Sequence, residues 1–125
     1  MNEKHKVVVE TRTLFIEEQS EPEKNRYVFA YAIKIRNEGT HLVQLLRRNW
    51  LITDSNGKVE EVNGSGVVGK QPALHAGESF EYTSGAVLET DVGVMSGKYL
   101  FIGEGGEHFF VPIPQFTLSI PRTLH

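Results

Sequence analysis

Alternation in size and polarity is clearest in the run Tyr27-Val28-Phe29-Ala30-Tyr31-Ala32-Ile33-Lys34-Ile35-Arg36. The odd-numbered residues of this run are large and apolar, whereas the even-numbered residues are mostly small or charged. Successive side chains of a β-strand point to opposite faces of a sheet, so a period of two predicts a strand with one buried face. The turn-forming residues Asn37-Glu38-Gly39 follow and end the strand.

Further runs with this period lie on both sides of the first and are separated by turn residues. The N-terminal run changes phase, because Val7 and Val9 share one face whereas Leu14 and Ile16 share the other. This change predicts a bulge within residues 10–13, or a strand that moves between sheets. Later strands are expected over residues 42–54, 58–62, 79–87, 98–103 and 108–120.

The run over residues 42–54 is expected to place Leu46, Trp50 and Ile52 on the core face, with Trp50 as the central aromatic plug. Arg48 interrupts that face, so its side chain must reach solvent or find a partner. The strand is followed by Asn56-Gly57, a pair that favours a tight hairpin turn.

Pro112, Pro114 and the segment 88–95 give further detail about the C-terminal third of the chain. Pro112 and Pro114 cannot donate ladder hydrogen bonds, so they predict an edge or a bulge in the last strand. Residues 88–95 could hold one helical turn. The sequence therefore predicts an all-β chain of about seven strands, folded as a two-sheet antiparallel β-sandwich with residues 1–125 as a single domain.

Composition limits the classes of function. The chain has 125 residues, no cysteine and a formal net charge of −3. This charge argues against nucleic-acid binding, because proteins that bind nucleic acid usually carry a basic excess. No run is long enough to insert into a membrane, and the polar N-terminus does not resemble a signal sequence. A cytoplasmic protein is expected.

A glycine motif offers the main candidate for a ligand site. Gly64, Ser65, Gly66 and Gly69 have the G-x-G-x-x-G spacing of a dinucleotide-binding turn, and Lys70 follows them. The phosphate-binding form needs a helix after the glycines, and the sequence predicts none. A loop whose glycines supply positive φ angles is the other interpretation. If an anion binds, Arg47 or Arg48 could add positive charge.

Other chemistry-bearing residues are dispersed. His5, His41, His75, His108 and His125 have no metal-ligand spacing. Adjacent residues of a strand face opposite ways, so Glu60 and Glu61 cannot act as a pair. Glu104 and Glu107 flank the Gly105-Gly106 turn and could hold a hard cation weakly. The sequence predicts no catalytic residues, no metal site, no cofactor and no enzymatic activity.

Taken together, the segments resemble the ApaG family. The resemblance lies in Tyr27-x-Phe29-x-Tyr31-x-Ile33-x-Ile35, Val43-Gln44-Leu45-Leu46, Trp50-Leu51-Ile52-Thr53-Asp54, Gly64-Ser65-Gly66-Val67-Val68-Gly69-x-Gln71-Pro72, Gly77-Glu78-x-Phe80-x-Tyr82-Thr83-Ser84-Gly85, Met95-x-Gly97-x-Tyr99 and Val111-x-Ile113-Pro114-x-Phe116. It implies a fibronectin type III-like or immunoglobulin-like sandwich. It also implies a link to cobalt resistance and magnesium efflux, and a binding module, because related domains occur in eukaryotic F-box proteins. Asn49 stands where this family often has histidine.

Three hypotheses for function follow. The first is a non-enzymatic module that binds an unidentified protein partner, with a homodimer as a further possibility. The second is binding of a small anion, nucleotide or pyrophosphate at Gly64, Ser65, Gly66, Gly69 and Lys70. The third is weak binding of a divalent cation.

Overall fold

The computed structural model describes residues 5–121, which form eight β-strands. The strands are β1 (Val7–Phe15), β2 (Tyr27–Asn37), β3 (Val43–Asp54), β4 (Val59–Ser65), β5 (Ala73–Leu74), β6 (Ser79–Leu88), β7 (Val92–Gly103) and β8 (His108–Ser119). Two single 3₁₀ turns, Glu17–Gln19 and Pro22–Lys24, precede β2. The expectation of about seven strands is confirmed, with the two-residue β5 as the addition.

The strands form two antiparallel sheets. One sheet has the order β1-β2-β6, and the other has the order β4-β3-β7-β8 with β5 paired to β3. Buried side chains from both sheets form one core between them. The predicted all-β, two-sheet antiparallel sandwich is therefore confirmed. No helix within residues 5–121 has the length and apolar character needed to cross a membrane.

Strand β2 follows its predicted alternation, with Phe29, Tyr31, Ile33 and Ile35 buried. The prediction of a bulge or a change of sheet in the N-terminal strand is wrong. Strand β1 pairs with β2 without interruption over all nine residues of β1. The apparent phase change arises because Leu14 is an apolar residue on the outer face, where 64% of it is exposed.

Strand β3 contains a bulge that the sequence did not predict. The pairing with β7 shifts between Leu45 and Arg47, so Leu46 is the extra residue. The carbonyl oxygen of Leu46 accepts hydrogen bonds from the Gly66 amide at 2.8 Å and from Gln71 Nε2 at 3.0 Å. The prediction that Leu46 lies on the core face is therefore wrong. The bulge changes the phase, so the fully buried residue of this part of β3 is Leu45.

Strand β7 begins at Val92, so the expectation of a helical turn in residues 88–95 is wrong. Its Gly97 allows β3 to approach closely, because a Cβ there would lie 2.1 Å from the carbonyl oxygen of Asn49. The proline prediction is confirmed, since β8 is the edge of its sheet. A register shift opposite Met95 and Gly97 also places Pro114 in a bulge of β8.

Trp50 fills the centre of the core, as predicted, and is only 2% exposed. Its ring meets the rings of Tyr31, Tyr99 and Phe116 at centroid distances of 5.4, 6.3 and 5.9 Å. The contacts with Tyr99 and Phe116 are edge-to-face, a geometry that aromatic pairs favour. The aromatic cluster therefore ties β3 to β2, β7 and β8.

Candidate functional site

The glycine motif forms a tight hairpin turn instead of the start of a helix. The amide of Val67 donates to the carbonyl of Lys70 at 2.8 Å, and the amide of Lys70 donates back at 2.9 Å. The two residues between them, Val68 and Gly69, have φ angles of 43° and 79°. Positive φ at both central positions is what a type I′ turn requires. Val67 is fully buried, so its side chain anchors the turn in the core.

Arg48 is the side chain that organises the first half of the motif. It lies on the inner face of β3 with Trp50, and its Nη1 donates to the carbonyl oxygens of Ser65 at 3.0 Å and Gly66 at 2.9 Å. A Cβ at residue 64 would lie 2.8 Å from both terminal nitrogens of this guanidinium, so Gly64 provides the space that it occupies. The carbonyl oxygens of Ser65 and Gly66 therefore bind a cationic side chain of the protein, Arg48.

This arrangement bears on the predicted anion site at Gly64, Ser65, Gly66, Gly69 and Lys70. A phosphate nest needs successive amide groups that converge on the ligand. Here the amides of Gly66 and Lys70 donate to backbone carbonyls, as does the amide of Val67. Anion binding at this turn stays a prediction that now depends on the remaining amides and on the Lys70 side chain.

Two tyrosines lie beneath the same region. Tyr99 is the register partner of Arg48, and its hydroxyl group lies 2.5 Å from the hydroxyl of Tyr82. Burial raises the pKa of both phenols well above their usual value, and the charge of Arg48 offsets only part of that effect. Both tyrosines are therefore neutral hydrogen-bonding groups at physiological pH, which suits a structural role.

The outer face of the larger sheet carries an exposed aromatic ring and two basic side chains. Phe110 is 59% exposed, and the Nζ atom of Lys98 lies 4.6 Å from the centroid of its ring. Arg47, also exposed, shares a cross-strand row with Leu100 and Phe110. We call this surface the basic-aromatic face, and it consists of Arg47, Asn49, Asn63, Lys98, Leu100 and Phe110.

Polar side chains continue the basic-aromatic face toward β4. Asn49 Nδ2 donates to Asn63 Oδ1 at 2.5 Å and to Glu61 Oε2 at 2.8 Å. Asn49 and Asn63, but not Glu61, line a surface depression of about 310 Å³ together with Lys98, Leu100 and Phe110. The Asn49 side chain thus links β3 to β4, at the position where the sequence resemblance leads one to expect histidine.

Glu104 and Glu107, the carboxylates that flank the Gly105-Gly106 turn, each contact a different group of the protein. Glu104 Oε1 accepts from the amide of Leu42 at 3.2 Å, whereas Glu107 Oε1 lies 2.6 Å from His5 Nε2. Among residues 5–121, no group of three or more histidine or acidic side chains is placed to hold a metal ion. His125 lies outside the described residues.

Phe110 and Lys98 were not identified from the sequence as site residues. One signal was available, because Phe109 and Phe110 are adjacent in a predicted strand. Neighbouring residues of a strand face opposite ways, so one of the two rings had to point away from the core. The position of Lys98 over that ring depends on the β7–β8 register, which the sequence did not reveal.

The fold and the exposed face define a small antiparallel β-sandwich with a mixed basic and aromatic outer surface. Residues 17–103 match the family model of the ApaG domain, and the chain belongs to the ApaG family. It is similar to Protein ApaG of Dechloromonas aromatica, with 52% identity over 122 residues, which cover 98% of this chain and 96% of that protein. It is equally similar to Protein ApaG of Pectobacterium carotovorum, with 52% identity over 120 residues and 96% of each chain covered.

The fold is also similar to that of an experimental structure. A Bordetella pertussis protein described as ApaA has a crystal structure that superposes with a TM-score of 0.93 at 48% identity, over 95% of this chain and 97% of that one. The agreement extends across both sheets, because so little of either chain lies outside the superposition.

Proposed function

We propose that this chain is a non-enzymatic binding module that holds another protein on the basic-aromatic face. The observation that carries the proposal is the ring of Phe110, 59% exposed with Lys98 above it. Large aromatic side chains and arginine are enriched at protein interfaces and contribute much of the binding energy there. Arg47 supplies the arginine of this surface.

The chemistry of the face specifies the partner. Arg47 and Lys98 favour carboxylates, while Leu100 and Phe110 favour an apolar side chain between them. The partner surface that fits is therefore acidic with an apolar or aromatic centre. The rows of the face cross four strands, from Ser65 through Arg47 and Leu100 to Phe110, so the partner contacts a sheet surface and not a closed cavity.

A capture experiment with matched variants tests this proposal. The native protein, Phe110→Ala and Leu14→Ala are expressed at equal levels in a bacterium that carries an ApaG gene. Each is then purified, and the proteins that co-purify with it are quantified. Leu14 is a suitable control because it is 64% exposed on the other sheet. We expect one partner to be retained by the native chain and by Leu14→Ala, and to fall about tenfold or more with Phe110→Ala. Equal retention by all three proteins would count against the basic-aromatic face.

Anion or nucleotide binding at the glycine turn is the second candidate. Its support is the positive φ angles at Gly66, Val68 and Gly69, which precede the positively charged Lys70. It is the weaker candidate, because three amides of the turn already donate within the protein. Titration with pyrophosphate and a diadenosine polyphosphate should shift the amide resonances of residues 64–70 if it is correct. Scattered or absent shifts would remove it.

A direct role in cobalt or magnesium homeostasis would require a cation site. The best-placed carboxylates, Glu104 and Glu107, each bind a different group of the protein. We therefore propose that any such role of this chain acts through the bound protein. Calorimetric titration with Mg²⁺ and Co²⁺ tests this, and saturable binding below about 1 mM would reassign the protein as a cation binder.

A further inference from the structure

We propose that the free edge of β6 binds an extended segment of another protein as a fourth strand of the smaller sheet. The basic-aromatic face lies on the outer side of the larger sheet, so this proposal is independent of the proposed function. Strand β6 is the last strand in the order β1-β2-β6, and among residues 5–121 it pairs only with β2. Its other edge is therefore open to a further strand.

The register of β6 shows which backbone groups face the open edge. The amide of Asn37 donates to the carbonyl of Glu78 at 2.9 Å, so these two residues are a hydrogen-bonded pair at the start of the β2–β6 ladder. Successive residues of a strand turn their amide and carbonyl groups to alternate sides. The even-numbered residues of β6 therefore bond to β2, and the odd-numbered residues present their backbone groups at the open edge. These are Ser79, Glu81, Thr83, Gly85 and Val87.

Strand β6 lacks the features that usually protect an edge strand. It contains no proline and no lysine, and its ten residues pair with β2 without a register shift. By contrast, the edge strand β8 of the larger sheet carries Pro112, Pro114 and a bulge. An unprotected edge is a template for strand addition, which is how several peptide-binding domains hold their ligands.

The larger sheet supplies a floor for the added strand. Because β1 packs against β8 at one side of the sandwich, the three strands of the smaller sheet lie over β8, β7 and β3. Strand β4 is then left without a strand opposite it, and none of its residues is buried. We call the space between the edge of β6 and the inner face of β4 the notch. It has the width of about one strand, about 4.8 Å.

The side chains of the notch specify the chemistry of the added strand. A small depression lies in the notch, between Ile52 on the larger sheet and Val87 on β6. Val62 on β4 and Phe80 on β6 are half-buried at the margin of the core, so they favour apolar side chains on the inner face of the added strand. Glu81 is exposed on the outer face and favours a basic residue beside it. The segment that fits therefore alternates apolar residues with polar ones, at least one of them basic.

A second copy of this chain does not fit the notch. Pairing β6 with the β6 of another copy about a two-fold axis would continue the smaller sheet across both copies. The β3 of the second copy would then occupy the space that β4 already fills, because β3 lies beneath β6 in each copy. The occupant is therefore a single extended segment with no sheet layer beneath it, such as a terminus or an exposed loop.

A peptide selection followed by hydrogen exchange tests the proposal. Random nine-residue peptides displayed on phage are selected on the native protein, and the strongest binders are synthesised. We expect these peptides to alternate apolar and polar residues and to include a basic residue. In the free protein the amides of Thr83 and Gly85 should exchange faster than those of Tyr82 and Ser84, and bound peptide should slow their exchange. Selected peptides that leave the odd-numbered amides of β6 unprotected, or that shift the amide of Phe110 instead, would overturn the proposal.

Two substitutions separate backbone pairing from other modes of binding. Thr83→Pro removes an amide at the open edge and no hydrogen bond to β2, so a folded variant should bind the selected peptides at least about fivefold more weakly. The matched Thr83→Val keeps the amide and should bind as the native protein does. Equal binding by these two variants would overturn the proposal.

Glu81→Lys leaves every backbone group in place and gives a result even if the proline variant does not fold. It should weaken binding of the basic peptides several-fold, and a peptide with glutamate in place of its basic residue should regain the lost affinity. Binding that responds to neither charge exchange would also overturn the proposal.

Discussion

The guanidinium group of Arg48 occupies the space beside Gly64, 2.8 Å from where a Cβ at that residue would lie. From there it donates to the carbonyl oxygens of Ser65 and Gly66. The first glycine of the motif therefore serves the packing of an internal arginine. This relationship explains how a dinucleotide-like glycine spacing occurs in a β-hairpin.

Gly64→Ala should displace the Arg48 guanidinium and lower the free energy of unfolding by about 1–3 kcal/mol, because two charge-assisted hydrogen bonds are lost. Urea unfolding measures the change. Gly85→Ala is the control, since its Cβ would make only an ordinary contact. In an Arg48→Ala background, Gly64→Ala should cost much less. An equal cost in both backgrounds would show that Arg48 is not the reason for the glycine.

Trp50→Ala should lower the free energy of unfolding by about 3–5 kcal/mol, because the indole ring is the centre of the aromatic cluster. The matched variant is Leu51→Ala at the next position, where the side chain is 38% exposed. It should cost less than about 1 kcal/mol. Both values come from urea unfolding. Similar losses for the two variants would contradict the assignment of Trp50 to the core.

Alkaline pH should destabilise the protein through Tyr82 and Tyr99. Burial raises the pKa of both phenols in the folded state, so the native chain keeps protons that the unfolded chain releases above about pH 10. Their contribution to stability is therefore present below about pH 10 and is lost as the pH rises toward the folded-state pKa. Tyr99→Phe should make the fall in unfolding free energy shallower between pH 10 and 11.5. An unchanged slope would show that Tyr99 does not cause the alkaline loss.

Val68→Gly should stabilise the protein or leave it unchanged, although glycine substitutions in ordinary strands destabilise. Val68 has a φ angle of 43°, which is unfavourable for a β-branched residue, and its side chain is 52% exposed. Relief of this strain, about 1–3 kcal/mol, should match or exceed the entropic cost of glycine. Val59→Gly, in extended backbone at a similarly exposed position of β4, is the control and should destabilise. Equal destabilisation by both variants would show that the turn does not strain Val68.

Much of the fold could be predicted from the sequence, because most strands show either a regular two-residue alternation or prolines that mark an edge or a bulge. Strand β2 alternates between buried and half-buried residues from Phe29 to Asn37, and the two prolines of β8 correctly indicated an edge or a bulge. The bulge at Leu46 was not predictable, because it depends on hydrogen bonds from Gly66 and Gln71, which lie 20 or more residues away. Leu14 misled the prediction for a related reason. Its hydrophobicity indicated burial, but the register with β2 places it outside.

The candidate site was less predictable than the fold. The glycine motif was visible as a sequence pattern, but its conformation depends on Arg48, which lies on a neighbouring strand. The basic-aromatic face joins residues from four strands, and Lys98 reaches Phe110 only because β7 and β8 pair in one register. Such a surface has no contiguous motif, so composition and spacing did not indicate it.

Photo-cross-linking from position 110 in living cells tests the proposed function most directly. A benzoyl-phenylalanine at this position keeps an aromatic ring on the basic-aromatic face and captures whatever protein contacts it. The control position is Val59, which is 58% exposed near the edge of the same sheet. We expect one discrete protein adduct from position 110, little from position 59, and loss of the adduct when Lys98→Glu is added. The same adducts from both positions, or none that depends on Lys98, would contradict protein binding at this face.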